Sequence, residues 1–161
     1  PEIQLPRINP KFESVKKIGF INRGKKKGLK TIIELSKMYP LVQFFIFGDK
    51  INTNQNNIVN MGYFNDRTSM FGLIDMVLVP SIWNEPYGRV ASEAIWSGKM
   101  VLASNKGGLP EAVTDSFFLV DDVSIAEWSK RINEISNNRD LVDSLILKAQ
   151  NILTNHNLHY H

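Results

Sequence analysis

The sequence predicts an α/β fold, namely a doubly wound, Rossmann-like domain built on a parallel sheet of about six strands. Short apolar runs alternate with segments of helical periodicity along the 161 residues. The apolar runs are continuous, as in strands that helices cover on both faces. Right-handed crossovers between such strands bring the loops that follow them to one edge of the sheet, where these folds bind ligands.

Each predicted element rests on its own pattern. The strands are Lys16–Ile21, Gln43–Gly48, Ile58–Gly62, Met76–Pro80, Met100–Ala103 and Phe117–Val120. Helical spacing of apolar residues predicts helices from Leu29 to Pro40, over Arg67–Leu73, from the turn at Glu85 to Gly98, after Gly108, after Ser124 and from Asn138 through Leu153. Ser124 and Glu127 form a capping box that marks one of these starts.

Composition limits the class of protein. We expect residues 1–14 to be a linker or the end of a longer chain, 15–155 one domain, and 156–161 a tail. No cysteine is present, which excludes disulfides, and no apolar run approaches the roughly 20 residues that span a membrane. A cytoplasmic protein is expected. The net charge of +3 fits a solvated surface, attraction to phosphate ligands, or contact with an anionic inner membrane face.

The stretch from Trp83 to Glu111, WNEPYGRVASEAIWSGKMVLASNKGGLPE, carries the strongest functional pattern. In the turn Glu85-Pro86-Tyr87-Gly88, a proline suits a first helical turn and a glycine lets the backbone approach a ligand. The free amides of Tyr87, Gly88 and Arg89 then favour an anion. A well-made helix start is the simpler alternative. A second acid, Glu93, follows on the helix, about 12 Å farther at 1.5 Å per residue.

A cationic turn, Asn22-Arg23-Gly24-Lys25-Lys26-Lys27-Gly28, follows the first strand and precedes a helix. A diphosphate at this edge would gain charge-assisted hydrogen bonds worth about 1.5–3 kcal/mol each. A solvated lysine run is the competing interpretation, and Arg23, Lys25, Lys26 and Lys27 all stay candidates.

These motifs resemble the donor-binding half of the retaining glycosyltransferases of the GT-B fold, family 4, from about Lys16 to Leu153. The pattern EPYGRVASEA, containing E-x7-E, followed by GGLPE carries the resemblance. It implies that Glu85 binds hydroxyls of the donor sugar, that Glu93 binds the ribose, and that Lys27 contacts the diphosphate. The family's arginine after the first-strand glycine is replaced by Phe20, so Arg23 is its candidate substitute.

The resemblance also implies that the loop of Gly107 and Gly108 lines the donor pocket, with Lys106 as a weaker candidate. Structural glycines and a proline at a helix start are the alternative for most of this loop. Tyr63 and Phe64 follow the third strand and either hold the nucleobase or pack in the core, and Gly48 would leave room for the base. His156, His159 and His161 cluster at the C-terminus, where a frayed end is more plausible than a metal site. No metal site is expected.

The sequence therefore predicts the donor domain of a retaining hexosyltransferase whose substrate is a nucleotide-diphospho-sugar such as a UDP- or GDP-sugar. We expect no cofactor and no nucleic-acid partner. An acceptor-binding domain would precede Pro1, and this domain alone would transfer little sugar. The alternatives are a non-catalytic nucleotide-binding or regulatory module and a nucleotide-sugar epimerase of GT-B shape, because fold alone does not decide between them.

Overall fold

A computed structural model describes residues 5–10, 14–121 and 124–159, with side chains up to residue 155. Its six-stranded sheet is entirely parallel and has the order β3-β2-β1-β4-β5-β6. This is the strand order of a doubly wound Rossmann-like domain, so the predicted fold class is confirmed. The strands are β1 Lys17–Asn22, β2 Gln43–Gly48, β3 Ile58–Gly62, β4 Met76–Val79, β5 Met100–Ser104 and β6 Leu119–Val120.

Helices connect the strands and pack on the sheet. They are α1 Leu29–Met38, α2 Arg67–Gly72, α3 Arg89–Trp96, α4 Leu109–Val113, α5 Ile125–Ser136 and α6 Arg139–His159, with a short 3-10 turn at Ser116–Phe118. The predicted cap at Ser124 is present, and its hydroxyl accepts a hydrogen bond of 3.3 Å from the Glu127 amide. No helix in the described ranges is long and apolar enough to cross a bilayer.

The core lies between the sheet and its helices. Residues 44–47 of β2 are all buried, and β5 is buried along its whole length, which explains why both read as continuous apolar runs. Helix α5 buries one stripe, Trp128, Ile132 and Ile135, at the spacing of a helix face.

Helix α3 begins later than the sequence predicted. Pro86 lies three residues before the helix and not in its first turn, because Gly88 adopts a left-handed conformation with φ 59°. The helix can start only after this residue, at Arg89. The estimate of 12 Å between Glu85 and Glu93 assumed that both lie on one helix. It was therefore wrong, because Glu85 lies in the loop before α3.

The last strand and the last helix also have bounds that differ from the predicted ones. The segment Phe117–Phe118 forms a 3-10 turn, and β6 is only the pair Leu119–Val120. Helix α6 continues to His159, past Leu153, the last residue of the predicted helix. Residues 1–4 and 11–13 of the predicted linker lie outside the described residues, and its described part packs on the end of α3, where the Ile8 amide donates to the Trp96 carbonyl.

Candidate functional site

A cavity of about 240 Å³ lies at the carboxyl ends of β1 and β4. Its wall combines an apolar floor with four cationic side chains and one acid. The lining residues are Phe20, Ile21, Arg23, Lys27, Arg67, Leu78, Val79, Ser81, Glu85, Pro86, Tyr87, Gly88, Arg89, Val90 and Ala91. Such a surplus of positive charge in a concave site favours an anionic ligand.

The loops after β1 and β4 are packed against each other and bring their side chains together. Gly28 is the N-cap of α1 with φ 91°, and a Cβ at this position would lie 2.0 Å from the Pro80 carbonyl oxygen. The Ile82 amide donates a 3.1 Å hydrogen bond to the Lys26 carbonyl. The backbone of one loop therefore fixes the position of the other.

Lys27 and Glu85 meet across this contact. The Lys27 ammonium donates to Oε1 of Glu85, and the buried Ser81 hydroxyl donates to the same oxygen at 2.8 Å. The Lys27 ammonium also lies 5.4 Å from the ring centroid of Trp83. Since only Oε1 takes part in these two hydrogen bonds, the second oxygen of Glu85 can accept from a ligand.

Glu93 is placed differently. Its Oε2 atom lies 3.1 Å from Nη1 of Arg67, and its Oε1 atom lies 3.8 Å from Nη2 of Arg89. Arg67 and Arg89 line the cavity, and Glu93 contacts both of them but is not itself a lining residue. Nη1 of Arg67 and Oε2 of Glu93 are buried, and neither makes an aligned hydrogen bond within the described part of the chain. Their contact is therefore ionic and leaves hydrogen-bonding capacity unused.

Burial also lowers the pKa of Arg67. Desolvation lowers the pKa of the Arg67 guanidinium from its ordinary value, the Glu93 carboxylate opposes this shift, and Arg23 and Arg89 add to it. An arginine remains charged under such conditions. Arg67 therefore places a partly desolvated positive charge at the cavity wall.

The glycines of the GGLPE motif support the Glu85 loop. A Cβ on Gly107 would lie 2.3 Å from the Glu85 carbonyl oxygen, and one on Gly108 would lie 2.4 Å from that of Pro86. The Gly108 amide donates to the Glu85 carbonyl. Neither glycine lines the cavity, so their observed contacts are with the neighbouring loop. Direct contact of Gly107 and Gly108 with a ligand stays a prediction.

Tyr63 and Phe64, the residues predicted to hold a base, are not among the residues that line the cavity. Tyr63 is exposed, its ring centroid lies 5.1 Å from the Arg23 guanidinium carbon, and its hydroxyl donates to Asp49. This hydrogen bond raises the pKa of Tyr63. Phe64 instead packs edge-to-face on Phe47, with ring centroids 5.3 Å apart.

Gly48 explains how β2 approaches the end of β1. Its φ is 100°, and a Cβ there would lie 2.4 Å from the Asn22 carbonyl oxygen. The glycine is thus needed for contact between two strand ends. The predicted room for a base stays untested.

The cationic turn divides into two groups. Arg23 and Lys27 line the cavity, whereas Lys25, Lys26 and Lys106 do not. Lys25 and Lys26 are exposed, and Lys106 is half-buried. Among the described residues, no group of three or more histidine, cysteine or acidic side chains is arranged to hold a metal ion. The histidine side chains at 156, 159 and 161 lie outside the described part.

Sequence reasoning missed Arg67, Ser81 and Trp83. All three follow parallel strands at the ligand-binding edge, which is the signal that could have found them. Arg67 was noted only as the start of a helix, since a lone arginine carries no motif.

Comparison with known proteins identifies the family. The family model described as glycosyl transferases group 1 matches residues 2–152. The chain belongs to this family. Its fold is that of the C-terminal half of a GT-B glycosyltransferase.

Relatives of this group 1 domain were found among curated proteins and solved structures. A D-inositol 3-phosphate glycosyltransferase from Mycolicibacterium smegmatis is 42% identical over 69 residues, 42% of this chain and 16% of that protein. HepE from Anabaena, in complex with UDP-glucose, superposes with a TM-score of 0.75 at 24% identity, covering 86% of this chain and 43% of HepE. A UDP-GlcNAc 2-epimerase from Neisseria meningitidis superposes at 0.60 with 17% identity, covering 92% and 45% of the two chains.

The chain thus spans less than half the length of these relatives. The two structural matches show the fold alone. In this chain, the loop of Lys27, the loop of Glu85 and the helix of Glu93 meet at one edge of the sheet.

Proposed function

We propose that this domain binds the nucleotide-diphospho-sugar donor of a retaining hexosyltransferase, and that the acceptor is bound by a second domain outside this sequence. The observation that carries the proposal is the convergence of Lys27, Glu85 and the start of α3 on one cavity with a surplus of cations. Membership of the group 1 family and the fold shared with HepE, crystallised with UDP-glucose, support it.

The site offers matched groups for each part of such a donor. The first amides of α3 have no intrahelical acceptor, and Gly88 supplies no side-chain cap, so these amides suit phosphate oxygens. Lys27 and Arg23 would add charge-assisted hydrogen bonds to the diphosphate. The free oxygen of Glu85 would accept from sugar hydroxyls, and Glu93 would accept from the ribose.

In the proposed reaction the bond between the anomeric carbon and the diphosphate oxygen breaks, and negative charge develops on the leaving diphosphate. Lys27, Arg23 and the α3 amides would stabilise that charge. Removal of one preorganised donor of this kind typically costs about 2.7–4 kcal/mol in the transition state. Glu85 would hold the hexose in place while the leaving group departs.

Calorimetric titration tests the binding function. We expect the chain to bind UDP-glucose or a GDP-sugar more tightly than the free nucleotide, and Lys27→Ala and Glu93→Ala each to weaken binding by roughly tenfold or more. Lys30→Ala, which removes an exposed cation from α1, is the matched control. The proposal fails if both site variants bind as the wild type does.

The alternatives predict other results. A regulatory module would bind the free nucleotide and its sugar conjugate equally. An epimerase, whose fold this domain also resembles, would change the stereochemistry of the sugar when the donor is incubated with the complete protein. Neither outcome is expected of a transferase.

A further inference from the structure

We propose that Arg67 is a positioning residue, which holds the Glu93 carboxylate beside the donor cavity so that it can receive ribose hydroxyls. This rests on the proposed function. The pair joins two separate elements, since Arg67 is the first residue of α2, after β3, and Glu93 lies on α3, after β4. No motif links these two positions in the sequence.

The geometry shows why Glu93 needs a partner. Its side chain is only 14% exposed, and an isolated carboxylate in such surroundings is costly unless a charge compensates it. Arg89 lies farther away, at 3.8 Å, and its side chain is 64% exposed, so it is a weak restraint. Arg67, at 3.1 Å and 28% exposed, is the stronger one.

Arg67 is itself held by a fixed element. Asp66 caps α2 by accepting hydrogen bonds from the Thr68 amide at 3.0 Å and the Ser69 hydroxyl at 2.7 Å. Met70 and Phe71, one turn after Arg67, are buried and anchor the helix on the core. The guanidinium is thus placed by a capped and packed helix, the kind of support that a binding side chain requires.

The contact also leaves one carboxylate oxygen for a ligand. Oε2 of Glu93 is buried against Nη1 of Arg67, whereas Oε1 lies 3.8 Å from Nη2 of the exposed Arg89, beyond hydrogen-bonding distance. A ribose hydroxyl can donate to Oε1 while the ionic contact between Oε2 and Arg67 persists. Arg67 would then act through Glu93 and not through the diphosphate.

This distinction is testable with ligand pairs that differ by one hydroxyl. UDP, GDP and ADP are titrated against the chain, and the tightest is compared with its 2′-deoxy form and with pyrophosphate. We expect the wild type to prefer the ribonucleotide by roughly tenfold or more, the size expected for one hydrogen bond to a charged group. Glu93→Gln and Arg67→Gln should each reduce this preference to less than about threefold.

Two further variants complete the test. Arg67→Gln combined with Glu93→Gln should show no additional loss of preference, because both changes remove one function. Arg67→Lys should restore part of it. Arg139→Gln, the same chemical change at an exposed position at the start of α6, is the control and should keep the full preference. Urea denaturation of every variant checks that it is folded.

The outcomes separate the two proposals. If Glu93→Gln abolishes the ribose preference but Arg67→Gln weakens the ribonucleotide, the deoxynucleotide and pyrophosphate equally, Arg67 is a direct phosphate ligand and the inference is overturned. If no nucleoside diphosphate binds, or Glu93→Gln has no effect, the proposed donor site fails, and the role of Arg67 fails with it.

Discussion

Gly28 touches Pro80 so closely that a Cβ on the glycine would lie 2.0 Å from the proline carbonyl oxygen. This contact joins the loop that carries Lys27 to the loop that carries Glu85. Glycine is required here for two reasons, its left-handed φ of 91° and the absence of space.

We therefore predict that Gly28→Ala is strongly destabilising. Gly24 offers a matched control, since its φ is 87° but nothing lies within 4 Å of the position of its Cβ. Gly24→Ala should cost only the left-handed strain, about 1–2 kcal/mol. Gly28→Ala should cost about 1–3 kcal/mol more because the Pro80 backbone must move. Urea denaturation measures both, and equal losses would contradict the close contact.

Glu85 is predicted to set the preference for a sugar nucleotide over the free nucleotide. In Glu85→Gln the ion pair with Lys27 is lost, which leaves the ammonium available for the diphosphate. We expect binding of UDP to be unchanged or tighter, and the extra affinity for UDP-glucose to fall by roughly tenfold. Glu34→Gln, a half-buried acid on α1, is the control in calorimetry. A uniform weakening of both ligands would argue against sugar recognition by Glu85.

The cap of α2 predicts a pH dependence of stability. Hydrogen bonds from the Ser69 hydroxyl and the Thr68 amide lower the pKa of Asp66 below its ordinary value of 3.8. The unfolded chain then binds more protons than the folded one as pH falls, so stability present above about pH 3.8 is lost as pH drops through the folded pKa.

The comparison for this test is Asp66→Asn, which keeps a capping side chain but does not titrate. Free energies of unfolding from urea denaturation are measured between about pH 6 and pH 3. The advantage of the wild type over Asp66→Asn should shrink toward the acid end. A constant difference across the series would show that Asp66 does not carry this dependence.

Gln150 is predicted to stabilise the packing of residues 5–10 against the rest of the domain. Its buried amide donates to the carbonyls of Ile8, Ile95 and Trp96 at 2.8, 3.1 and 3.2 Å. Gln150→Met keeps the volume but removes these hydrogen bonds, and the Ile95 and Trp96 carbonyls then keep only their bonds from the Gly98 and Ile8 amides. The change should cost about 1–3 kcal/mol of unfolding free energy. Gln43→Met at an exposed position should have little effect. Equal losses of unfolding free energy in Gln150→Met and Gln43→Met would contradict this role of Gln150.

How much the sequence could predict depended on whether the signal was local. The continuous apolar runs of β2 and β5 and the capped start of α5 placed these elements correctly, because burial and capping act within a few residues. The start of α3 was wrong, since the left-handed conformation of Gly88 places it against Leu109 and Ala112 of α4, which the local pattern does not show.

The sequence by itself determined the parallel α/β fold, the family, and the two loops that carry Lys27 and Glu85, because periodicity and motif spacing are properties of neighbouring residues. Only the tertiary structure decided which side chains meet. The pairing of Arg67 with Glu93 joins α2 to α3, and the choice of Lys27 over Lys25 and Lys26 at the cavity follows from packing between the loops after β1 and β4. Contacts between separate elements depend on how helices and loops pack on the sheet. No pattern within a few neighbouring residues of the sequence encodes that packing.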